Sequence, residues 1–150
     1  MDGALELDGA TFVTTDAVLD PSEGPFSVFA WVKGGALGQV MISQVGGVNW
    51  LTVTSEGALM TELRRSGRQG KSLTSASVIT DGNWHRVGFV WDGSNRILYV
   101  DDVQVARDAQ TSLAGSAGGL DIGAGCTLSP ASFWSGLIDD VRIYDRAVQP

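Results

Sequence analysis

Apolar and polar residues alternate with a period of two along most of the chain. In residues 26–33 (FSVFAWVK) one set of alternate positions is wholly apolar, and the other set includes Phe29 and Trp31. Because successive side chains of a strand point to opposite faces, this pattern predicts a strand that is covered on both faces or bent between layers. Residues 84–91 also alternate, and the turn at residues 92–95 (DGSN) leads from them into residues 96–100, which predicts a hairpin.

Further short apolar runs recur along the chain, and no ten-residue window carries a convincing helical stripe free of glycine. Aspartate precedes glycine at four positions, and this pair favours turns because both residues tolerate positive φ. Many short strands separated by turns predict an all-β sandwich or barrel. The other predicted strands are residues 4–7, 40–45, 50–54, 59–64, 72–78, 103–107, 120–122 and 137–144.

Length, charge and cysteine content narrow the classes of protein. A chain of 150 residues has the size of one domain, so we expect residues 1–150 to form a single domain, either a module of a larger protein or a compact whole. A net charge of −7 argues against nonspecific nucleic-acid binding. Cys126 is the only cysteine, which excludes an internal disulfide, and no apolar run approaches the length of a membrane span, so we expect no direct membrane insertion.

Three blocks of sequence carry a resemblance to a known family. They are residues 83–87 (NWHRV), 97–102 (ILYVDD) and 133–147 (FWSGLIDDVRIYDRA). In this order they resemble the laminin G-like jelly rolls of the concanavalin A-like lectin and glucanase superfamily, and residues 4–9 and 26–32 resemble its opening and early core strands. The resemblance spans nearly the whole chain and implies an antiparallel β-sandwich with jelly-roll topology. Asp102 replaces a glycine common in the family, and we expect the turn to be kept because aspartate tolerates left-handed positions at modest cost.

A calcium site is the first functional expectation, because sandwiches of this superfamily often carry calcium, which binds carboxylate and carbonyl oxygens. The candidate ligands are Asp8 or Glu6 near the start and Asp139 or Asp140 near the end. They meet if the terminal strands are neighbours, as the resemblance implies. In a regular strand Asp139 shares a face with apolar residues, so it must then be hydrogen-bonded, paired or metal-bound. The alternatives are a turn cap for Asp8 and an arginine ion pair for the other two aspartates.

Tryptophan is the second feature, since sugar rings stack on flat aromatic side chains. Trp50 and Trp134 lie beside glycine-containing loops and are the candidate ligand-binding aromatics, with a core position as the alternative. Trp31, Trp84 and Trp91 lie inside strand patterns, which predicts that they belong to the core.

Positive charge is concentrated in one short segment of an otherwise acidic chain. Residues 64–71 (RRSGRQGK) contain four of the ten lysines and arginines. Arg64 and Arg68 are therefore candidate ligands for a sulfate, carboxylate or phosphate, which suit the planar guanidinium. A solvated loop, or a sheet edge protected by charge from pairing with another sheet, is the alternative interpretation.

The sequence lacks the residues that catalysis requires. Glycoside hydrolases of the superfamily commonly use Glu-x-Asp-x-x-Glu; Glu6 and Asp8 begin that pattern, but Thr11 stands where its second glutamate belongs. His85 is the only histidine and lies inside a predicted strand, and Cys126 has no histidine or cation beside it. We therefore expect no enzyme activity in this chain.

The resemblance implies a non-catalytic binding module whose ligand is a glycan or polysaccharide, with calcium as an assisting cofactor. Two alternatives remain open. One is a protein-interaction or structural adhesion module of a cell surface or virion, which would present a flat apolar patch without a sugar-sized concavity. The other is an accessory domain of an enzyme encoded outside this chain. We expect an extracellular or cell-surface location as part of a larger protein, although this sequence contains no signal peptide.

Overall fold

The structure, a computed structural model, describes residues 4–65 and 71–150. These residues form twelve β-strands and a short 3₁₀ turn at Pro130–Ser132, which confirms the predicted all-β fold. They include no helix with the length and apolarity needed to cross a membrane. The strands are β1 (Leu5–Asp8), β2 (Val13–Ala17), β3 (Phe26–Gly34), β4 (Val40–Gln44), β5 (Asn49–Val53), β6 (Ala58–Thr61), β7 (Leu73–Val78), β8 (His85–Trp91), β9 (Asn95–Val100), β10 (Val103–Ala109), β11 (Gly119–Ile122) and β12 (Ser135–Tyr144).

The strands form two six-stranded antiparallel sheets that pack face to face as a jelly-roll sandwich, as predicted. Sheet A has the order β1-β12-β3-β8-β9-β10, and sheet B has the order β2-β11-β4-β5-β6-β7. The chain crosses between the sheets repeatedly, so distant segments supply one shared core. Phe26 of sheet A lies between Trp50 of sheet B and Phe89 of sheet A, with ring centroids 5.2 and 5.6 Å apart. Burial of such aromatic side chains is a main source of stability in a sandwich.

Strand β2 is the one element that the alternation of apolar residues does not predict. Its sequence VTTDA has no buried position, and it forms an edge of sheet B beside β11. A period of two in hydrophobicity arises only when one face of a strand is covered, so an exposed edge strand lacks that signal. Its backbone pairing with β11 makes it a strand.

Strand β12 contains a bulge that corrects the expected position of Asp139. The register with β3 shifts between Asp139 and Arg142, and Asp140 lies in the left-handed region with φ of 49°. Asp139 therefore pairs with Trp31 on the outer face of sheet A, while Val141 packs against the core. Because a bulge inserts one extra residue, it reverses the alternation beyond it. The regular strand assumed from the sequence, with Asp139 beside Val141, was wrong.

Residues 123–134 fold back over the outside of sheet B. The Ser43 hydroxyl donates to the carbonyl of Ala124 at 2.7 Å, and the Cys126 N–H donates to Oδ1 of Asn49 at 2.9 Å. Phe133 then forms a parallel bridge with Val40. Every residue of β4 is consequently buried, because its second face is covered by this segment.

Candidate functional site

The outer face of sheet A, which points away from sheet B, carries three rows of side chains fixed by the strand register. Residues opposite one another in an antiparallel sheet point to the same side. From β12 towards β10 the rows are Tyr144, Ser27, Val90, Ile97 and Arg107; then Arg142, Phe29, Gly88, Tyr99 and Gln104; then Asp139, Trp31 and Arg86.

A second, small apolar cluster lies on this outer face. It consists of Phe29, Val90, Ile97 and Tyr99, all buried although they point away from the main core. The Arg86 guanidinium lies 4.6 Å from the centre of the Phe29 ring and covers it on one side. These contacts explain why both alternate sets of β3 contain large apolar residues, since each set packs against a different cluster.

The last residues of the chain lie across the same face. The Ser27 hydroxyl donates to the carbonyl of Arg146 at 2.7 Å and accepts from the N–H of Val148 at 2.8 Å. Val148 packs against the small apolar cluster. A single serine hydroxyl thus holds this segment over the first row of side chains.

Between this segment and strand β10 lies a cleft with a volume of about 520 Å³. This volume falls within the range of roughly 300–1,000 Å³ found for small-molecule sites. We call it the sheet A cleft. It is lined by Val90, Asp92, Ile97, Tyr99, Gln104, Arg107, Ala147, Val148 and Gln149.

Unused polar groups surround the apolar part of the sheet A cleft. Arg107 and Gln104 are exposed, and neither side chain forms a hydrogen bond or ion pair with any residue that the structure describes. The carboxylate of Asp92 accepts from the N–H groups of Ser94 and Asn95 at 2.8 and 2.7 Å. The pKa of Asp92 is lowered, chiefly by the hydrogen bond from the Ser94 N–H and also by Asn95 and the charge of Arg107, which together outweigh the effect of burial. Asp92 is therefore ionised at neutral pH. The cleft thus offers charged and neutral donors and acceptors over an apolar floor.

A second cavity, of about 220 Å³, is acidic. Asp20, Glu23 and Asp145 line it, and no lysine, arginine or histidine does. Asp20 accepts from the Ser22 N–H and hydroxyl at 2.9 and 2.7 Å, so its carboxylate is committed to a local turn.

A third cavity, of about 290 Å³, lies beside Arg96. The guanidinium of Arg96 is almost fully buried and bonds to both carboxylate oxygens of Asp108. It also donates to the carbonyls of Leu63 and Lys71, each at 2.7 Å. Since these partners occupy the guanidinium, Arg96 anchors the two ends of the residue 63–71 segment and is not free for a ligand.

The ligand-binding interpretation of Trp50 and Trp134 is wrong, and the alternative that both are core residues is confirmed. Trp50 and Trp134, the proposed ligand-binding aromatics, are both 0% exposed and belong to the core, so neither can stack on a sugar. Trp31 and Trp84, predicted to be core residues, are partly exposed, whereas Trp91 is buried as predicted. Trp31 belongs to the outward set of β3. The residues flanking Trp134 fold back over the sandwich, so its place beside a loop did not expose it.

The three aspartates proposed as calcium ligands do not come together. Strands β1 and β12 are neighbours, as expected, but Asp8 lies opposite Ser135, four residues from Asp139 and therefore about 13 Å away along the strand. Asp8 accepts from Ala10 N–H and the Thr11 hydroxyl at 2.9 and 3.1 Å, which is the turn-cap alternative.

The other two aspartates are also committed to local partners. Asp139 accepts from the N–H of Asp140 at 2.8 Å, and Asp140 pairs with Arg142 at 2.8 Å. Across residues 4–65 and 71–150, no three histidine, cysteine or acidic side chains are grouped as a metal site. Asp8, Asp139 and Asp140 therefore do not form a shared site, while Glu6 lies opposite Leu137, two residues from Asp139; calcium binding stays a prediction.

The basic segment is only partly described. Arg68 lies outside the described residues. Arg64 donates from Nη1 to the Ser72 hydroxyl at 3.4 Å, and its carbonyl accepts from Ala114 at 2.9 Å. The prediction that Arg64 and Arg68 bind an anion is not tested by these contacts and stays a prediction.

The fold defines this protein as a jelly-roll β-sandwich of the lectin type. A laminin G-type family model, described as the concanavalin A-like lectin/glucanases superfamily, matches residues 7–150. The chain therefore belongs to this superfamily.

Solved structures with the same fold include several binding domains. The binding domain of Paraclostridial Mosquitocidal Protein 1 has a TM-score of 0.76 at 10% identity, covering 97% of this chain and 40% of that one. Domains LG4-5 of mouse laminin α1 have a TM-score of 0.71 at 14% identity, covering 98% and 44%. The CBM40 module of a Ruminococcus gnavus sialidase has a TM-score of 0.70 at 14% identity, covering 97% and 91%. This chain thus spans less than half the length of the first two.

Proposed function

We propose that this domain is a non-catalytic module that binds a glycan in the sheet A cleft. The observation that carries the proposal is the position of two unpaired polar side chains, Arg107 and Gln104, beside the apolar floor of a cleft of about 520 Å³. Ligand sites combine apolar surface with a few well-placed polar groups, and the accessible surface of this cleft is mainly polar, which suits a polar ligand.

The chemistry of the cleft suits a ligand rich in hydroxyl groups. Arg107 offers up to five N–H donors, Gln104 offers both a donor and an acceptor, and ionised Asp92 accepts from hydroxyls. The edges of Tyr99 and Val148 provide apolar surface for the C–H groups of a sugar ring. Tyr99 is largely covered, so we assign it to the floor of the cleft and do not expect its ring to stack face to face on a sugar.

The relatives support the class of ligand. The Ruminococcus gnavus CBM40 module is bound to α2,3 sialyllactose, and domain 4 of a Geobacillus stearothermophilus extracellular arabinanase is bound to arabinotriose. One ligand is acidic and the other is neutral, so the shared feature is only that both are glycans. The arabinanase is an extracellular enzyme, which supports the extracellular location that we include in the proposal.

Binding to a broad glycan array, with calcium and again with EDTA, tests the proposal. We expect binding by the unmodified protein, and a loss of about ten-fold or more in Arg107→Ala, since a hydrogen bond to a charged group contributes roughly 1.5–3 kcal/mol. Gln104→Ala should weaken binding less. Arg142→Ala is the matched control, because it removes an exposed arginine from the same face outside the cleft.

Different results would change the proposal in defined ways. Binding that is lost in EDTA would add calcium as a cofactor. Equal loss in Arg107→Ala and Arg142→Ala would show that the sheet A cleft is not the site. The absence of any glycan ligand would favour the protein-interaction module, with the partly exposed Trp31 as the first position to substitute.

A further inference from the structure

The only histidine of the chain lies between two carboxylates. The His85 side chain is 12% exposed; its Nδ1 lies 2.8 Å from Oδ2 of Asp101, and its Nε2 lies 2.8 Å from Oδ1 of Asp81. Both ring nitrogens therefore face an acceptor at hydrogen-bond distance.

The two carboxylates belong to different turns at one end of sheet A. Asp81 lies in the turn between β7 and β8, where its Oδ1 also accepts from the N–H of Asn83 at 3.0 Å. Asp101 lies in the turn between β9 and β10, where its Oδ1 accepts from the N–H of Arg86 at 3.0 Å. The imidazole thus connects two turns that the sheet hydrogen bonds do not join directly.

Only one protonation state of the imidazole satisfies both contacts. Ionised carboxylates only accept hydrogen bonds, and a neutral imidazole has one N–H and one lone pair. In neutral His85 one nitrogen would direct its lone pair at a carboxylate oxygen. The imidazolium form donates to both aspartates, and each bond is then charge-assisted.

We propose that His85 is a pH-dependent clasp, which as an imidazolium ties the Asp81 turn to the Asp101 turn and as neutral imidazole releases one of them. The clasp acts on the hairpin of β9 and β10, whose turn begins at Asp101. It is independent of the glycan proposal, because it concerns the coupling of two turns whether or not a ligand binds.

The charges around the imidazole favour the imidazolium form. Burial by itself lowers the pKa of His85, but the hydrogen bonds and charges of Asp101 and Asp81 outweigh burial and raise this pKa above its ordinary value of 6.5. The Asn83 N–H, followed by His85, lowers the pKa of Asp81 to about 2, so Asp81 stays ionised at any pH at which His85 titrates.

The neighbouring side chains do not supply another hydrogen bond between the two turns. Arg86, next along β8, is paired with Asp102 at 2.7 Å. Val32 lies opposite His85 on β3 and is apolar. The stabilisation from the clasp is therefore fully present below the unfolded-state pKa of about 6.5 and is lost as pH rises through the raised pKa of the folded state.

NMR titration of the imidazole in the untagged protein gives the direct test. With one histidine there is one set of ring signals. We expect a pKa above 6.5 that falls in Asp81→Asn and in Asp101→Asn, because each substitution removes one anionic acceptor. Asp102→Asn is the matched control: it weakens the Arg86 pair beside the clasp and should move the His85 pKa much less.

Hydrogen exchange supplies the second readout. As pH rises through the measured pKa, protection of backbone amides in residues 81–85 and 100–103 should fall beyond the intrinsic pH effect on exchange. In His85→Gln this additional fall should be absent. A His85 pKa at or below 6.5 in the folded protein would overturn the clasp. Protection at these two turns that does not change through the titration would also overturn the clasp. The titration of the unmodified protein decides the question even if His85→Gln folds poorly.

Discussion

The outer faces of the two sheets differ in what covers them. On sheet B, residues 123–134 close the face above β4, and all five residues of that strand are buried. On sheet A, the end of the chain covers only part of the face and leaves the sheet A cleft open beside it. Both faces carry apolar side chains, and on the face of sheet A the exposed side chains of Arg107 and Gln104 form no hydrogen bond or ion pair with the described residues.

The two faces differ in how far their polar groups are used within the fold. The segment over sheet B bonds to Ser43 and Asn49 beneath it, through the carbonyl of Ala124 and the N–H of Cys126. On sheet A, the side chains of Arg107 and Gln104 form no hydrogen bond or ion pair with the described residues, so their hydrogen-bonding capacity remains available to a ligand. The covered face adds to the core, whereas the partly covered face holds the site that we propose.

The largest predicted effect is the difference between substituting a core tryptophan, Trp134, and substituting Trp31 on the partly covered face of sheet A. Trp134→Ala should lower the free energy of unfolding by about 3–5 kcal/mol, because it leaves a cavity in a core that holds the ring at 0% exposure. Trp31→Ala, on the partly exposed face, should cost about 1 kcal/mol, near the centre of the range for ordinary substitutions. Guanidinium unfolding of both variants measures the difference, and equal losses would contradict the assignment of Trp134 to the core.

The next largest predicted effect is the difference in stability between alanine substitutions at Gly35 and Gly38. A Cβ at Gly35 would lie 2.2 Å from Cη2 of Trp134, and the φ of Gly35 is 79°. Gly38 has a nearly identical φ of 77°, and nothing lies within 4 Å of its Cβ position. Gly35→Ala should therefore cost roughly 1–3 kcal/mol more than Gly38→Ala, from overpacking alone. Both variants share the strain of a positive φ, so the difference between their melting temperatures measures the effect of the contact with the Trp134 ring. Equal melting temperatures would mean that the Trp134 ring moves aside without loss of stability.

Two aspartates should respond to pH in opposite directions, with the smallest effects. Burial raises the pKa of Asp121, a residue of β11 in sheet B that is 3% exposed. The hydrogen bond from the Ser94 N–H lowers the pKa of Asp92, which lines the sheet A cleft. A raised carboxyl pKa costs stability as pH rises above its unfolded value of about 3.9, and a lowered one contributes stability in that range.

Melting temperatures at pH 3 and pH 7 test the two aspartates. Asp121→Asn should raise the melting temperature at pH 7 and change it less at pH 3. Asp92→Asn should lower it at pH 7, with a smaller change at pH 3. A loss of stability at pH 7 in Asp121→Asn would contradict this prediction, because it would mean that a hydrogen-bond donor stabilises the ionised carboxylate of Asp121.

Several features of the fold were predictable because they depend on local sequence. The alternation in residues 26–33 and 84–91 predicted β3 and β8, and the left-handed turn expected at Asp102 is confirmed by its φ of 66°. The exposed edge strand β2 was missed because it buries no residue. The bulge at Asp140 was missed because a single extra residue in a strand leaves no clear mark on the hydrophobic pattern.

The candidate site was much less predictable. Arg107 and Gln104 are ordinary polar residues of a predicted strand, and nothing in their neighbourhood in sequence marks them. They line the proposed site because the register places them beside Tyr99 and Ile97, and because Ser27 holds Val148 across the same face. The tryptophans were predicted from their distance to loops, but the direction of each side chain decided their exposure.

The sequence by itself determined eleven of the twelve strands that the structure describes, the all-β class, the family resemblance that selects the sandwich, and the lack of a recognisable catalytic motif, because these depend on periodicity and short motifs along the chain. The tertiary structure alone decided which apolar face is covered and which polar side chains stay unpaired. It also decided that His85 lies between Asp81 and Asp101. The physical reason is that alternation records which residues share a face of a strand, whereas cover, pairing and exposure depend on distant segments that pack against that face.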